Sequence, residues 1–71
     1  MANSTGKLIS HNIAYYRNKY RLTQEQLSEL SGISADYLSE IERGKKIPSI
    51  KRLDKIADNL NIETYLLLMK S

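Results

Sequence analysis

The chain has no cysteine, a single histidine, a single proline and no apolar run near the ~20 residues that a membrane-spanning helix needs. Without cysteine there is neither a disulfide framework nor a thiolate metal site, and His11 has no companion ligand, so no metal, haem or other cofactor is expected. The opening residues, Met1-Ala2-Asn3-Ser4-Thr5-Gly6, lack the basic-then-apolar order of a signal peptide, and a cytoplasmic location with no membrane partner is expected. Strand-like alternation, internal repeats and low-complexity segments are missing as well. An enzyme is not expected either, because 71 residues without a histidine pair or a cysteine nucleophile offer too little chain to enclose a substrate. A domain of this size buries only about 60% of its unfolded surface, so its stability is expected to be marginal unless it oligomerises.

What the chain does have is concentrated in residues 23–44. Thr23 can accept a hydrogen bond from a backbone N–H two or three residues on, and Gln26 is placed to complete a capping box, which opens a helix over 24–31. Gly32 follows where the chain must turn left-handed, and Ser34 caps a second helix over 35–42. Leu27, Ile33, Leu38 and Ile41 face one another across the corner, and Ser28 is small enough to let the two helices approach closely. Two short helices crossing at a glycine corner make a helix-turn-helix.

The flanks read as helices too. Residues 1–6 are polar and uncapped and predict a flexible tail, with one domain over 7–69. Ile9, Ile13, Tyr16 and Tyr20 recur at helical spacing and predict a first helix near 7–20, after which Leu22 docks the turn into the core. Gly44 and Pro48 punctuate a loop. Ser49 caps a helix near 49–60 whose shared face is Ile50, Leu53, Ile56, Ala57 and Leu60; Asn61 suits a left-handed close, and a short fifth helix runs near 63–69.

The net charge of +3 is unevenly spread. Residues 25–42 carry Glu25, Glu29, Asp36, Glu40 and Glu42 with no Lys or Arg, whereas 43–55 carry Arg43, Lys45, Lys46, Lys51, Arg52 and Lys55 against Asp54 alone. A charge run is commonly just a solvated face. Placed directly after the second helix of a helix-turn-helix, it points to phosphate contacts.

The segments Leu22-Thr23-Gln24-Glu25-Gln26-Leu27, Gly32-Ile33-Ser34, Tyr37-Leu38-Ser39-Glu40-Ile41-Glu42-Arg43-Gly44 and Pro48-Ser49 resemble the Xre-type domains of the Cro/CI-like repressor superfamily over residues 7–68. The resemblance implies an all-α, compact five-helix bundle of the lambda-repressor-like type, and a small transcriptional regulator, a repressor or controller protein, that binds double-stranded DNA sequence-specifically. The helix 35–42 would enter the major groove with Ser34, Ala35, Asp36, Tyr37, Ser39 and Glu40 as its base-reading face. Thr23, Gln24, Arg43, Lys45, Lys46 and Ser49 would hold phosphates, and the positive end of the helix dipole at Gln24 supports that role. Arg17 and Glu42 match a family pair that forms an internal salt bridge, which would turn Glu42 away from DNA.

Departures from the family pattern carry further expectations. Arg21 stands where glycine is usual, which predicts a different turn geometry, and Leu30 with Ser31 reverses the common order of core and surface. Tyr16 is expected in the core, Tyr20 half-buried, Tyr15 on the surface, and Tyr37 outward against a thymine methyl or a phosphate. Leu67 and Leu68 match the leucines that close the family core. Tyr65 and Leu66 stand where related sequences carry acids, so a homodimer through them is expected, with the two recognition helices roughly 34 Å apart on a palindromic operator. A second reading keeps the fold and changes the partner: an antitoxin-like or adaptor protein whose acidic third helix contacts another protein. No ligand-sensing second domain is expected, so regulation would come through concentration, cooperativity on DNA or a protein partner.

Overall fold

Among the described residues, four α-helices and one 3-10 turn follow one another as α1 (Asn3–Lys19), α2 (Gln24–Ser31), α3 (Ala35–Glu42), α4 (Ile50–Asn59) and the turn Thr64–Leu67. This computed structural model describes the backbone of residues 3–70 and the side chains of residues 5–70. Three helices start as their capping residues dictate. Thr23 Oγ1 accepts from the Gln26 N–H at 3.0 Å while Gln26 Oε1 accepts from the Thr23 N–H at 2.8 Å, and Ser34 and Ser49 accept from the N–H groups of Tyr37 and Arg52.

All four helices end in one way, with a residue in the left-handed region and the paired backbone bonds of a Schellman close. After α2 the Ile33 N–H reaches the Ser28 carbonyl with Gly32 at φ 70; after α3 the Lys45 N–H reaches Glu40 with Gly44 at φ 76. After α4 the Ile62 N–H reaches Ala57 with Asn61 at φ 56, and after α1 the Leu22 N–H reaches Arg17 with Arg21 at φ 59. The turn at Arg21 is therefore not altered, as its side chain predicts; an arginine simply occupies the conformation that glycine prefers. Its neighbours leave no other choice, because Leu22 packs on the core and its carbonyl accepts from Arg17 Nη1 at 2.7 Å. A residue with a Cβ pays roughly 1–2 kcal/mol for this conformation, part of which glycine would return as unfolded-state entropy. Arg21→Gly is expected to stabilise the domain by about 0.5–1 kcal/mol, read as a higher urea midpoint at an unchanged slope. A lower midpoint would show that the arginine side chain contributes more than the strain removes.

The core is built from Ile9 and Ile13 of α1, Leu27 of α2, Leu38 and Ile41 of α3, and Leu53, Ile56 and Ala57 of α4, closed by Leu60 and Leu67. Helix α3 packs between α1 and α2, α2 also packs on α4, and the 3-10 turn lies against α1 and α4. Leu30 is exposed and Ser31 is buried, and the Ser31 hydroxyl has no hydrogen-bond partner. Burying an unpaired hydroxyl costs about 1–3 kcal/mol, so Ser31→Ala is expected to raise stability by about 1 kcal/mol in the same assay. No gain would mean that the hydroxyl finds a partner in solution.

The structure corrects several expectations. Helix α1 begins at Asn3, so residues 3–6, expected in a flexible tail, are helical; Met1 and Ala2 lie outside the described residues. Burial of Gly6 explains the extension, since a Cβ there would lie 3.5 Å from the Ile47 side chain and the first turn packs on the loop. The fifth helix is only the four-residue 3-10 turn. Its three-residue period lets one leucine reach the core, so Leu67 is buried while Leu68 is exposed and Leu66 is half-buried. Asn12, itself buried, donates from Nδ2 to the Leu67 and Met69 carbonyls at 2.9 and 2.8 Å and ties this irregular segment to α1. Ile50 is 65% exposed, because the first position of α4 overhangs the core edge, where Pro48 is buried instead. Tyr20 is exposed in the turn after α1, while Tyr16 packs half-buried on the core and Tyr15 is exposed. Among the described residues no helix is long and apolar enough to cross a membrane.

Candidate nucleic-acid interface

The start of α2 and the end of α3 are locked together by one polar network. Arg17 forms a fork on Glu42, Nε to Oε2 at 2.7 Å and Nη2 to Oε1 at 2.9 Å, and its remaining Nη1 donates to the Leu22 carbonyl. Gln24 Nε2 donates to Glu42 Oε1 at 3.1 Å, and the Ser10 hydroxyl donates to the Glu42 carbonyl. The Arg17 and Glu42 side chains are only 14% and 7% exposed. A carboxylate at a helix C-terminus opposes the helix dipole, and the arginine offsets that as well as the desolvation. Glu42 is thus turned inward, as the family pair implies. That Gln24 joins it is a contact the sequence did not signal.

Along α3, Leu38 and Ile41 are buried and the opposite stripe carries Asp36, Ser39, Glu40 and then Arg43. Ser34 and Asp36 are exposed; Ser39 and Glu40 are half-buried at the edges of the stripe. Two of the residues nominated as base-reading, Ala35 and Tyr37, flank this stripe. Ala35 is half-buried in the cleft between α2 and α3, which Thr23, Gln26 and Glu29 also line. Tyr37 packs half-buried on the core, and the Arg52 guanidinium of α4 sits over its ring, 5.2 Å from the centroid. The ring is thus half-buried and partly covered by Arg52 rather than standing fully outward.

The Schellman close at Gly44 turns the chain sharply off the end of α3, and Arg43, Lys45 and Lys46 all come out exposed. Arg43 Nε reaches back to the Ser39 carbonyl at a long 3.4 Å. Pro48 anchors the far end of the loop, and Ser49, exposed, caps α4. Thr23 is exposed and Gln24 half-buried at the start of α2. The hydrogen bond from Gln24 to Glu42 brings that helix start beside the end of α3, from which Arg43 follows. Of the pair nominated for a dimer seam, Tyr65 is 59% exposed, but Leu66 lines a small cleft against Asn12, Tyr15 and Tyr16 of α1. No group of three His, Cys, Asp or Glu side chains could hold a metal among the described residues.

A profile of the helix-turn-helix family HTH_3 matches residues 13–67, from the core face of α1 to the last buried leucine. The chain belongs to this family. It is a family of DNA-binding transcriptional regulators, not of enzymes. The helix-turn-helix chain is 33% identical over 64 residues to control protein C.SmaI of Serratia marcescens, covering 90% of this chain and 76% of that protein. Its fold is similar to that of the restriction-modification controller protein C.AhdI from Aeromonas hydrophila, with a TM-score of 0.84 and 31% identity over 87% of this chain and 94% of the other. It is equally similar to the biofilm master regulator SinR in its structure with DNA, with a TM-score of 0.82 and 34% identity over 86% of this chain and 98% of that one.

Proposed function

We propose that this chain is a sequence-specific regulator of transcription that binds double-stranded DNA as a homodimer, with α3 in the major groove of a palindromic operator. The observation that carries this reading is the pairing of an exposed polar stripe on α3, Asp36 to Arg43, with a loop that presents Arg43, Lys45 and Lys46 free of any carboxylate partner within 4.0 Å among the described residues. The SinR structure with DNA, at 34% identity, supports the same use of the fold. In this reading Asp36, Ser39 and Glu40 read base edges, with Ser34 at the groove margin. Arg43, Lys45, Lys46, Ser49 and the helix start at Thr23 and Gln24 hold phosphates; Gln24 does so with whatever hydrogen-bonding capacity its bond to Glu42 leaves free. Ala35 and Tyr37 serve chiefly to seat the helix. The exposed apolar side chains at the end of the chain, Tyr65, Leu68 and Met69, form the seam between two copies, with Leu66 behind them.

Titrating binding of a mixed-sequence duplex against salt tests the phosphate contacts. Lys45→Ala combined with Lys46→Ala is expected to lower affinity for every duplex alike and to reduce the slope of log K against log salt by about one per lysine in each half-site. Binding lost only on the preferred sequence, with the slope kept, would contradict it.

A further inference from the structure

Lys51, Arg52 and Lys55 of α4 line one side of a cleft of about 320 Å³, and Ser31, Gly32 and Ile33, the corner between α2 and α3, line the other, with Ser49 at its end. None of the three basic side chains has a carboxylate within 4.0 Å, since Arg17 with Glu42 is the only ion pair among the described residues. The one acid inside this run, Asp54, is turned away and accepts a 2.7 Å hydrogen bond from Thr64, the first residue of the 3-10 turn. The Arg52 guanidinium lies over the Tyr37 ring, which favours this position of the side chain. Three cations that face one cleft without neutralisation focus a positive potential there, which favours the entry of an anion.

The cleft is continuous with the proposed interface at two points. Ile33 directly precedes Ser34, the cap of α3, and Ser49 is both a wall of the cleft and the cap of α4 beside the Lys45–Lys46 loop. We infer that this cleft is a second phosphate site, taking a backbone phosphate of the operator strand next to the one gripped by the Lys45–Lys46 loop, with Lys51 and Lys55 as its charges and Arg52 lying over Tyr37. It lengthens the tracked backbone without reading any base. This inference rests on the DNA-binding reading above.

The test uses the full chain and a fluorescent duplex of the preferred sequence, titrated at several salt concentrations. Lys51→Ala combined with Lys55→Ala removes two exposed side chains, and equal thermal melting with the parent confirms that the fold is kept. The expected result is a slope of log K against log salt reduced by about one per lysine in each half-site, with affinity near ~0.1 M salt down at least tenfold on specific and mixed duplexes alike. Lys70→Ala, a charge outside the lining of this cleft, is expected to leave the slope as it is. If Lys45→Ala with Lys46→Ala lowers the slope and the α4 pair does not, the second site is overturned while the main reading stands. A loss of affinity at constant slope overturns it equally. A parent chain that binds no duplex removes both.

Discussion

Glu42→Ala is expected to cost the domain on the order of 3–5 kcal/mol, because it leaves the Arg17 guanidinium 14% exposed with no carboxylate to face. At about 0.05–0.15 kcal/mol per residue, a 71-residue domain has only some 4–10 kcal/mol in total. The variant should therefore lose about half of that total, with a urea midpoint shifted far down. The loss is one of pairing more than of contact. Replacing both partners with apolar residues of similar size, Arg17→Met with Glu42→Leu, is expected to recover most of the stability, since a buried ion pair offsets little more than its own desolvation. Circular dichroism with urea decides between these outcomes. A cost below about 1 kcal/mol for Glu42→Ala would place the pair among ordinary surface ion pairs and remove it as the lock between α1 and α3.

Asp36→Asn is expected to change what the protein reads rather than how it folds. The side chain is exposed in the first turn of α3, where a carboxylate repels phosphate and gains only if a cytosine amino group donates to it. The amide should raise affinity for arbitrary duplexes and shift the preference at one symmetric pair of positions from cytosine to adenine, by about 1–3 kcal/mol per half-site. Competition between duplexes differing only at that pair measures it. A preference profile identical to the parent's would mean that Asp36 touches no base, and the acidic face of α3 would then suit a protein partner better.

Which features were legible in the sequence depends on how local their causes are. The bounds of α2 and α3 match the sequence reading because Thr23, Gln26, Gly32 and Ser34 act within one turn of themselves. The Arg17–Glu42 pair was readable only through the family resemblance, since 25 residues separate the partners. Arg21 defeats local reading because arginine carries no mark of a left-handed turn, and the conformation is imposed by Leu22 and by the carbonyls it closes. The 3-10 turn escaped for the same kind of reason, as it is held by Asn12, 55 residues away from Leu67 in the chain. An asparagine beside Ile13 on the buried face of α1 was the available signal. On the candidate site, the cations of 43–46 were legible from the charge pattern, and the stripe from Asp36 only through the family resemblance. The half-burial of Tyr37 under Arg52 was not, because it depends on a side chain 15 residues further along the chain, in α4.

The central claim, that α3 of a symmetric pair of chains reads bases in the major groove, is tested most directly by selecting bound sites from a pool of random duplex DNA. The account predicts an enriched inverted repeat whose half-sites lie about 10 base pairs apart, centre to centre, matching recognition helices roughly 34 Å apart. A recovered pool as random as the input would contradict it.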